Sequence, residues 1–144
     1  MDERVEKVLQ YIEEHREEYI ELLRSFCRQP SLANTGEGIR EMASMVKAEL
    51  EKLGAEPQVF ETGGSPFVYA EIKGEKERTF GFYDHYDVQP VDPIAEWNTD
   101  PFAAEMIDGV IYARGVADNK DGLVTRLCAV DAWQKVYGTL PVNV

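Results

Sequence analysis

The stretch Ala104-Glu105-Met106-Ile107-Asp108-Gly109-Val110-Ile111-Tyr112, running on into Ala113-Arg114-Gly115-Val116-Ala117-Asp118-Asn119-Lys120-Asp121-Gly122, decides the fold class. Its first half predicts a β-hairpin, because Asp108-Gly109 supplies the positive φ angles that a two-residue type I′ turn demands. Its second half predicts a helix that starts near Asp118 and buries Leu123, Leu127, Val130, Trp133 and Tyr137. Gly138 ends that helix, and Pro141–Val144 reads as the opening of a further strand. A chain that stops where an element begins reads as the N-terminal piece of a longer protein.

Working outward towards the N-terminus, two helical patterns come first. Val5, Val8, Leu9, Ile12, Tyr19, Leu22, Leu23 and Phe26 recur at spacings of three and four and predict one long amphipathic helix. The Gln29-Pro30 step ends it, since the residue before proline avoids the α region. A second helix opens near Gly36–Gly38, carries Ile39, Met42, Ala43, Val46, Leu50 and Leu53 on one face, and stops at Gly54. Short β-branched and aromatic runs follow at Gln58–Glu61, Phe67–Ile72 and Thr79–Tyr83, separated by turn signals, and are expected as strands. Between the last of these and the hairpin, Asp84 to Phe102 is a long irregular stretch with Pro90, Pro93 and Pro101; loops of that length in compact domains are usually functional. Helices leading into strands, then a hairpin, a helix and an incipient strand, imply an α/β layered domain over residues 1–144.

Composition bounds the function class. The formal charge of −12, from 15 basic and 27 acidic residues, argues against nucleic acid and anionic membranes as partners. No stretch approaches the ~20 apolar residues of a membrane span, and Met1 to Gln10 is charged, without the apolar core of a signal peptide. Cys27 and Cys128 lie in helical patterns with no CxxC spacing, which reads as buried reduced thiols and a cytoplasmic location.

The densest group of possible ligands is Asp84-His85-Tyr86-Asp87, at the end of the Thr79–Tyr83 run. Extended backbone there would turn His85 and Asp87 to one side and Tyr86 to the other. A ligating imidazole whose second nitrogen is held by a carboxylate is a familiar metal-site unit, and ligands collect beyond the carboxyl ends of strands in open α/β sheets. His-x-Asp alone equally describes an ordinary surface turn. The only other histidine, His15, lies among Glu13, Glu14 and Arg16 and reads as solvated. Asp118 is a good N-cap with Asp121 three residues on, as in a capping box; by local rules that reading comes ahead of a metal-ligand role, and the two are compatible. Asp84, Asp92, Glu96 and Asp100 read as solvated turn residues.

Taken together, Phe82-Tyr83-Asp84-His85-Tyr86-Asp87-Val88-Gln89-Pro90-Val91-Asp92-Pro93, then Trp97, Asp100-Pro101-Phe102, Asp108-Gly109 and Ala113 to Lys120, resemble the di-zinc peptidases that include carnosinase-type dipeptidases, aminoacylases, glutamate carboxypeptidases and succinyl-diaminopimelate desuccinylase. The dipeptidase branch is the most similar. The resemblance implies a three-layer α/β/α catalytic domain, of which this chain is the N-terminal part without the lid and dimerisation domain. It implies two divalent metal ions, zinc by default with cobalt or manganese compatible, that activate water for attack on the amide bond of a dipeptide or N-acyl amino acid. By the same implication His85 and Asp118 are metal ligands, Asp87 is a catalytic residue that orients His85, and the Asp118-Asn119 peptide is cis. The general-base glutamate and the remaining ligands would lie beyond Val144, leaving this chain inactive, and the full-length protein would be a homodimer. A deacylase or carboxypeptidase of the same family, or a non-catalytic scaffold that keeps the fold, are the alternatives. Two departures stand out: Asp84 occupies the place of a small residue and would add a carboxylate near the cations, and Asp121 intervenes before Gly122, where glycine commonly follows the motif's lysine.

Overall fold

The structure, a computed structural model, describes residues 2–144. Helix α1 (Glu3–Glu14) is capped by Asp2, whose carboxylate accepts from Arg4 N at 2.8 Å. It is followed at once by α2 (Arg16–Arg28). The single long helix expected from the periodicity is therefore broken, at His15 (φ −109°, ψ 17°). The ring of His15 stacks on Tyr11 at 3.9 Å between centroids, and its Nδ1 lies 2.9 Å from the Tyr11 carbonyl oxygen. That local bond competes with helix continuation, and it leaves His15 half-buried rather than solvated. As expected, α2 gives way to extended backbone at Gln29, ahead of Pro30.

Helix α3 (Ile39–Lys52) buries Ile39, Met42, Ala43 and Val46 and ends at Gly54, whose φ of 81° closes the last turn. Strands β1 (Gln58–Phe60) and β2 (Phe67–Tyr69) pair antiparallel with Val59 opposite Val68. Strands β3 (Glu105–Ile107) and β4 (Val110–Tyr112) form the expected hairpin; Asp108 and Gly109 take φ of 51° and 80°, the I′ signature. Between the two pairs runs the expected irregular stretch, which holds a parallel bridge of Val88 to Leu32 and a 3₁₀ turn at Ile94–Glu96.

The run Thr79–Tyr83 does not become a full strand. Phe80 N donates to Asn143 O at 2.8 Å and Thr79 bridges Asn143 in parallel, but among the described residues no other backbone pairs with residues 81–84. A strand needs a neighbour for its second half, and Phe82 and Tyr83 project into solvent. The incipient strand after Pro141 likewise forms only bridges: Ile72 and Val144 exchange backbone bonds of 2.7 and 2.9 Å, and Gly74 bridges Leu140.

Helix α4 (Asp121–Tyr137) begins three residues later than expected and ends at Gly138 with φ of 76°. It packs against α1 and α2, and its core residues join Ile72 and Leu140 of the extended segments. Burial therefore reaches around it, to Val124, Leu127, Cys128, Val130 and Ala132, while Leu123 and Trp133 are half-buried. The core joins Phe26, Met42, Val46, Leu53, Val124, Leu127, Val130 and Leu140. Side chains of this size each contribute about 1.5–3 kcal/mol when fully buried. Both thiols are buried and free, Cys27 beside Ala104 and Ala113 and Cys128 in the main core. The class is mixed α/β, as expected, and no helix of the described residues is long and apolar enough to cross a membrane.

Candidate metal centre

The site is built where the 84–88 segment meets the connector into α4. Val88 N donates to Ser31 O at 2.8 Å, Ala33 N donates to Val88 O at 3.0 Å, and the buried Ser31 hydroxyl donates to Tyr86 O at 2.7 Å. These bonds hold Tyr86 to Val88 extended. Tyr86 accordingly turns inward, packing on the core and donating its hydroxyl to Pro66 O, while His85 and Asp87 turn the other way.

On that outer side His85 Nδ1 lies 3.0 Å from Asp87 Oδ1 and 3.1 Å from the Asp87 carbonyl oxygen. Nε2 lies 2.9 Å from Asp118 Oδ1, a residue 33 positions further along the chain. His85 is 43% exposed and Asp118 82% exposed at the side chain, so the pair opens to solvent. Partial burial disfavours the imidazolium, but the bonds to Asp118 and Asp87 outweigh it and hold the imidazole pKa above its ordinary value.

Asp118 reaches this position because it is not the helix cap. Its φ of −146° and ψ of 88° are extended, α4 starts after it, and its carboxylate turns to His85; Asp121 bonds only the adjacent Gly122 N, at 2.6 Å. The capping-box reading of Asp118 and Asp121 is thereby overturned. The Asp118-Asn119 peptide is cis, as the resemblance implied.

Three neighbours fix the connector. Gly115, at φ 78°, brings the backbone so close to Val88 that a Cβ there would overlap the valine side chain. Lys120 is fully buried and donates from Nζ to Phe26 O at 2.9 Å and Gln29 O at 2.7 Å, at the carboxyl end of α2. Burial lowers the pKa of that amine to about 8. Asn119 donates from Nδ2 to Asp84 Oδ1 at 3.1 Å, and Arg126 pairs with the same oxygen.

Asp84 is thus no solvated turn residue: its side chain is 7% exposed and engaged by two donors. Asp92, Glu96 and Asp100 are exposed as expected, with Asp100 accepting from Phe102 N at 2.8 Å. Lys120, Ser31 and Arg126 were not singled out by sequence reasoning. Their partners lie 42 to 94 residues away in the chain, beyond any local pattern.

The donor set fits a divalent cation at its chemistry. Asp87 occupies Nδ1, so a cation would be met by Nε2, and Asp118 presents a carboxylate beside it. Imidazole plus carboxylate without thiolate suits zinc, cobalt or manganese. Among the described residues no group of three or more His, Cys, Asp or Glu side chains is placed to hold a metal ion.

Comparison with known proteins places this geometry. Residues 81–144 match the model of peptidase family M20/M25/M40. The chain is 34% identical to a Beta-Ala-His dipeptidase of Homo sapiens over 97% of its own length and 31% of that protein's. Among solved structures it is similar to the M20 family metallo-carboxypeptidase Sso-CP2 from Sulfolobus solfataricus, at 45% identity and a TM-score of 0.83, covering 88% of this chain and 29% of that one. It is also similar to human carnosine dipeptidase 1, at 31% identity and a TM-score of 0.89, covering 96% and 32%. The chain spans about a third of the length of these relatives. Fold, motif order and matched segment agree in making the chain similar to peptidase family M20/M25/M40, whose model matches residues 81–144.

Proposed function

We propose that this chain supplies part of the metal centre of an amide-bond hydrolase that acts on dipeptides or short peptides, with His85 and Asp118 as metal ligands and Asp87 as the residue that orients His85. The observation that carries the reading is the convergence of His85 Nε2 and Asp118 Oδ1 at 2.9 Å, with Nδ1 already taken by Asp87. The names of the relatives, a dipeptidase and a metallo-carboxypeptidase, support the reaction class.

Two divalent cations, zinc first, would be held here with the help of further ligands from the rest of the protein. When bound, such ions lower the pKa of a water and polarise a carbonyl. This chain's own contribution is positional. Asp87 keeps the proton of His85 on Nδ1, so that Nε2 stays free to ligate. Asp118 presents its carboxylate from a backbone fixed on both sides, by Gly115 and by Lys120. Removing either side chain of the pair removes half of what the chain offers a cation.

The 144-residue chain alone is expected to bind zinc or cobalt weakly and to turn nothing over, because two ligands do not define a two-metal site. A carboxypeptidase of the same family is the second reading, favoured by the 45% identity to Sso-CP2. Calorimetric titration of zinc and cobalt into the wild type, His85→Ala and Asp118→Ala tests the centre. Binding lost in both variants supports convergence on one cation. Wild-type binding retained in both would sink it. Dipeptide hydrolysis by the isolated chain, abolished by Asp118→Ala, would overturn the expectation of inactivity.

A further inference from the structure

Asp84, one of the two places where the sequence departs from the pattern it resembles, and Gly122, which follows the other, Asp121, lie against the same two side chains. Asp84 Oδ1 accepts from Asn119 Nδ2 at 3.1 Å and pairs with the Arg126 guanidinium. A Cβ at Gly122 would run into Asn119 Oδ1 and stand 2.8 Å from Arg126 Nη1. Gly122 and Arg126 are four residues apart in one helical run, on one face of α4. The guanidinium also lies over the Phe82 ring, 5.6 Å from its centroid. A nearly buried carboxylate, the amide of the residue that follows Asp118, an arginine and a glycine that makes room for them therefore form one connected unit.

We propose that Asp84, Arg126 and Asn119 are positioning residues for Asp118: Arg126 fixes Asp84, Asp84 fixes the Asn119 amide, and the backbone through Asn119 aims the Asp118 carboxylate at His85. The inference rests on the proposed metal centre and deepens it. Asp84 is not an additional ligand, since its near oxygen is engaged by both donors and its charge is matched by Arg126. An alternative carboxylate arrangement would leave a guanidinium and a nearly buried carboxylate without their match, which costs more than the exposed pairs elsewhere on this surface. The Asp118 backbone thus has a preset direction before any cation arrives, and less conformational freedom is lost on binding.

The test compares wild type, Asp84→Asn, Arg126→Gln and Arg126→Lys on the full chain by two measurements. One is the ¹H–¹⁵N resonances of the Asn119 side-chain amide and the Asp118 backbone amide without metal. The other is cobalt affinity by calorimetry, with His85→Ala beside it. Asp84→Asn and Arg126→Gln are expected to shift both resonances and weaken cobalt about tenfold, the size typical of losing an outer partner of a metal ligand. Arg126→Lys should recover most of the affinity, which a merely structural role would not require. Asn119 resonances unchanged in folded Asp84→Asn and Arg126→Gln would overturn the inference. A wild type that binds no cobalt counts against the metal centre; the resonances then decide the positioning role alone.

Discussion

Lys120 Nζ stands 2.7 Å from the Gln29 carbonyl oxygen, so the residue two places after Asp118 closes the carboxyl end of a helix laid down some ninety positions earlier. The same amine takes the Phe26 carbonyl at 2.9 Å. Replacing it with methionine keeps the apolar stem but orphans one buried and one half-buried acceptor, each worth about 1–3 kcal/mol. Lys120→Met should therefore destabilise the chain by roughly 2–5 kcal/mol, read from the urea midpoint at constant m-value. A loss below about 1 kcal/mol would mean that water replaces the amine and the staple is dispensable.

Gly115 and Gly138 make a controlled pair. Both have positive φ, 78° and 76°, but Gly138 faces open space while Gly115 faces Val88. Alanine at Gly138 meets only the left-handed backbone penalty, about 1–2 kcal/mol. Alanine at Gly115 adds a clash with a buried valine, bringing the cost to roughly 2–5 kcal/mol. Thermal unfolding should rank Gly115→Ala well below Gly138→Ala; equal melting temperatures would show that Val88 moves aside freely.

These contacts also show what was legible in the sequence. The hairpin was, because Asp108-Gly109 is a local code, and so were the ends of α2, α3 and α4, written by Pro30, Gly54 and Gly138. His85 facing Asp87 followed from alternation alone. The break at His15 did not, since an unbroken apolar stripe spans it and only a ring bonding back to Tyr11 reveals it. Asp118 looked like a cap by every short-range rule; what competes for it is His85, 33 residues away. Asp84 looked solvated for the same reason, as Arg126 and Asn119 arrive from another element. Local chemistry fixes turns and stops, whereas side chains with two possible partners are decided by packing.

Asp87 offers the cleanest separation of orientation from ligation. Its carboxylate touches Nδ1 of His85 and not Asp118. Asp87→Ala should leave the fold intact while allowing the imidazole to change tautomer and turn. The ¹⁵N shifts of the His85 ring are expected to change, with cobalt affinity falling about tenfold. Unchanged ring shifts in the variant would assign the orientation to the Asp87 carbonyl, which also lies 3.1 Å from Nδ1.

Alkaline pH should act on the core through the thiols. Burial pushes the Cys128 thiol up to about 12, reinforced by the nearby charges of Asp131 and Glu49, and burial pushes Cys27 up to about 11. The folded state therefore disfavours thiolate. Below the unfolded value of about 9 both states carry the proton and stability is unaffected. As pH rises from about 9 the unfolded chain ionises first, and stability is lost by up to about 1.4 kcal/mol per pH unit per thiol until the folded pKa is reached. Lys120, whose buried amine is lowered to about 8, acts in the opposite sense over pH 8 to 10.5, so the thiol effect is read as a difference between urea midpoints of the wild type and a thiol variant under reducing conditions. Cys128→Ala, less stable at pH 8 through its cavity, should close part of that gap to the wild type across the same interval. Parallel midpoints in the two proteins would show that Cys128 ionises without unfolding, and that the α4 core admits a charge this packing says it cannot.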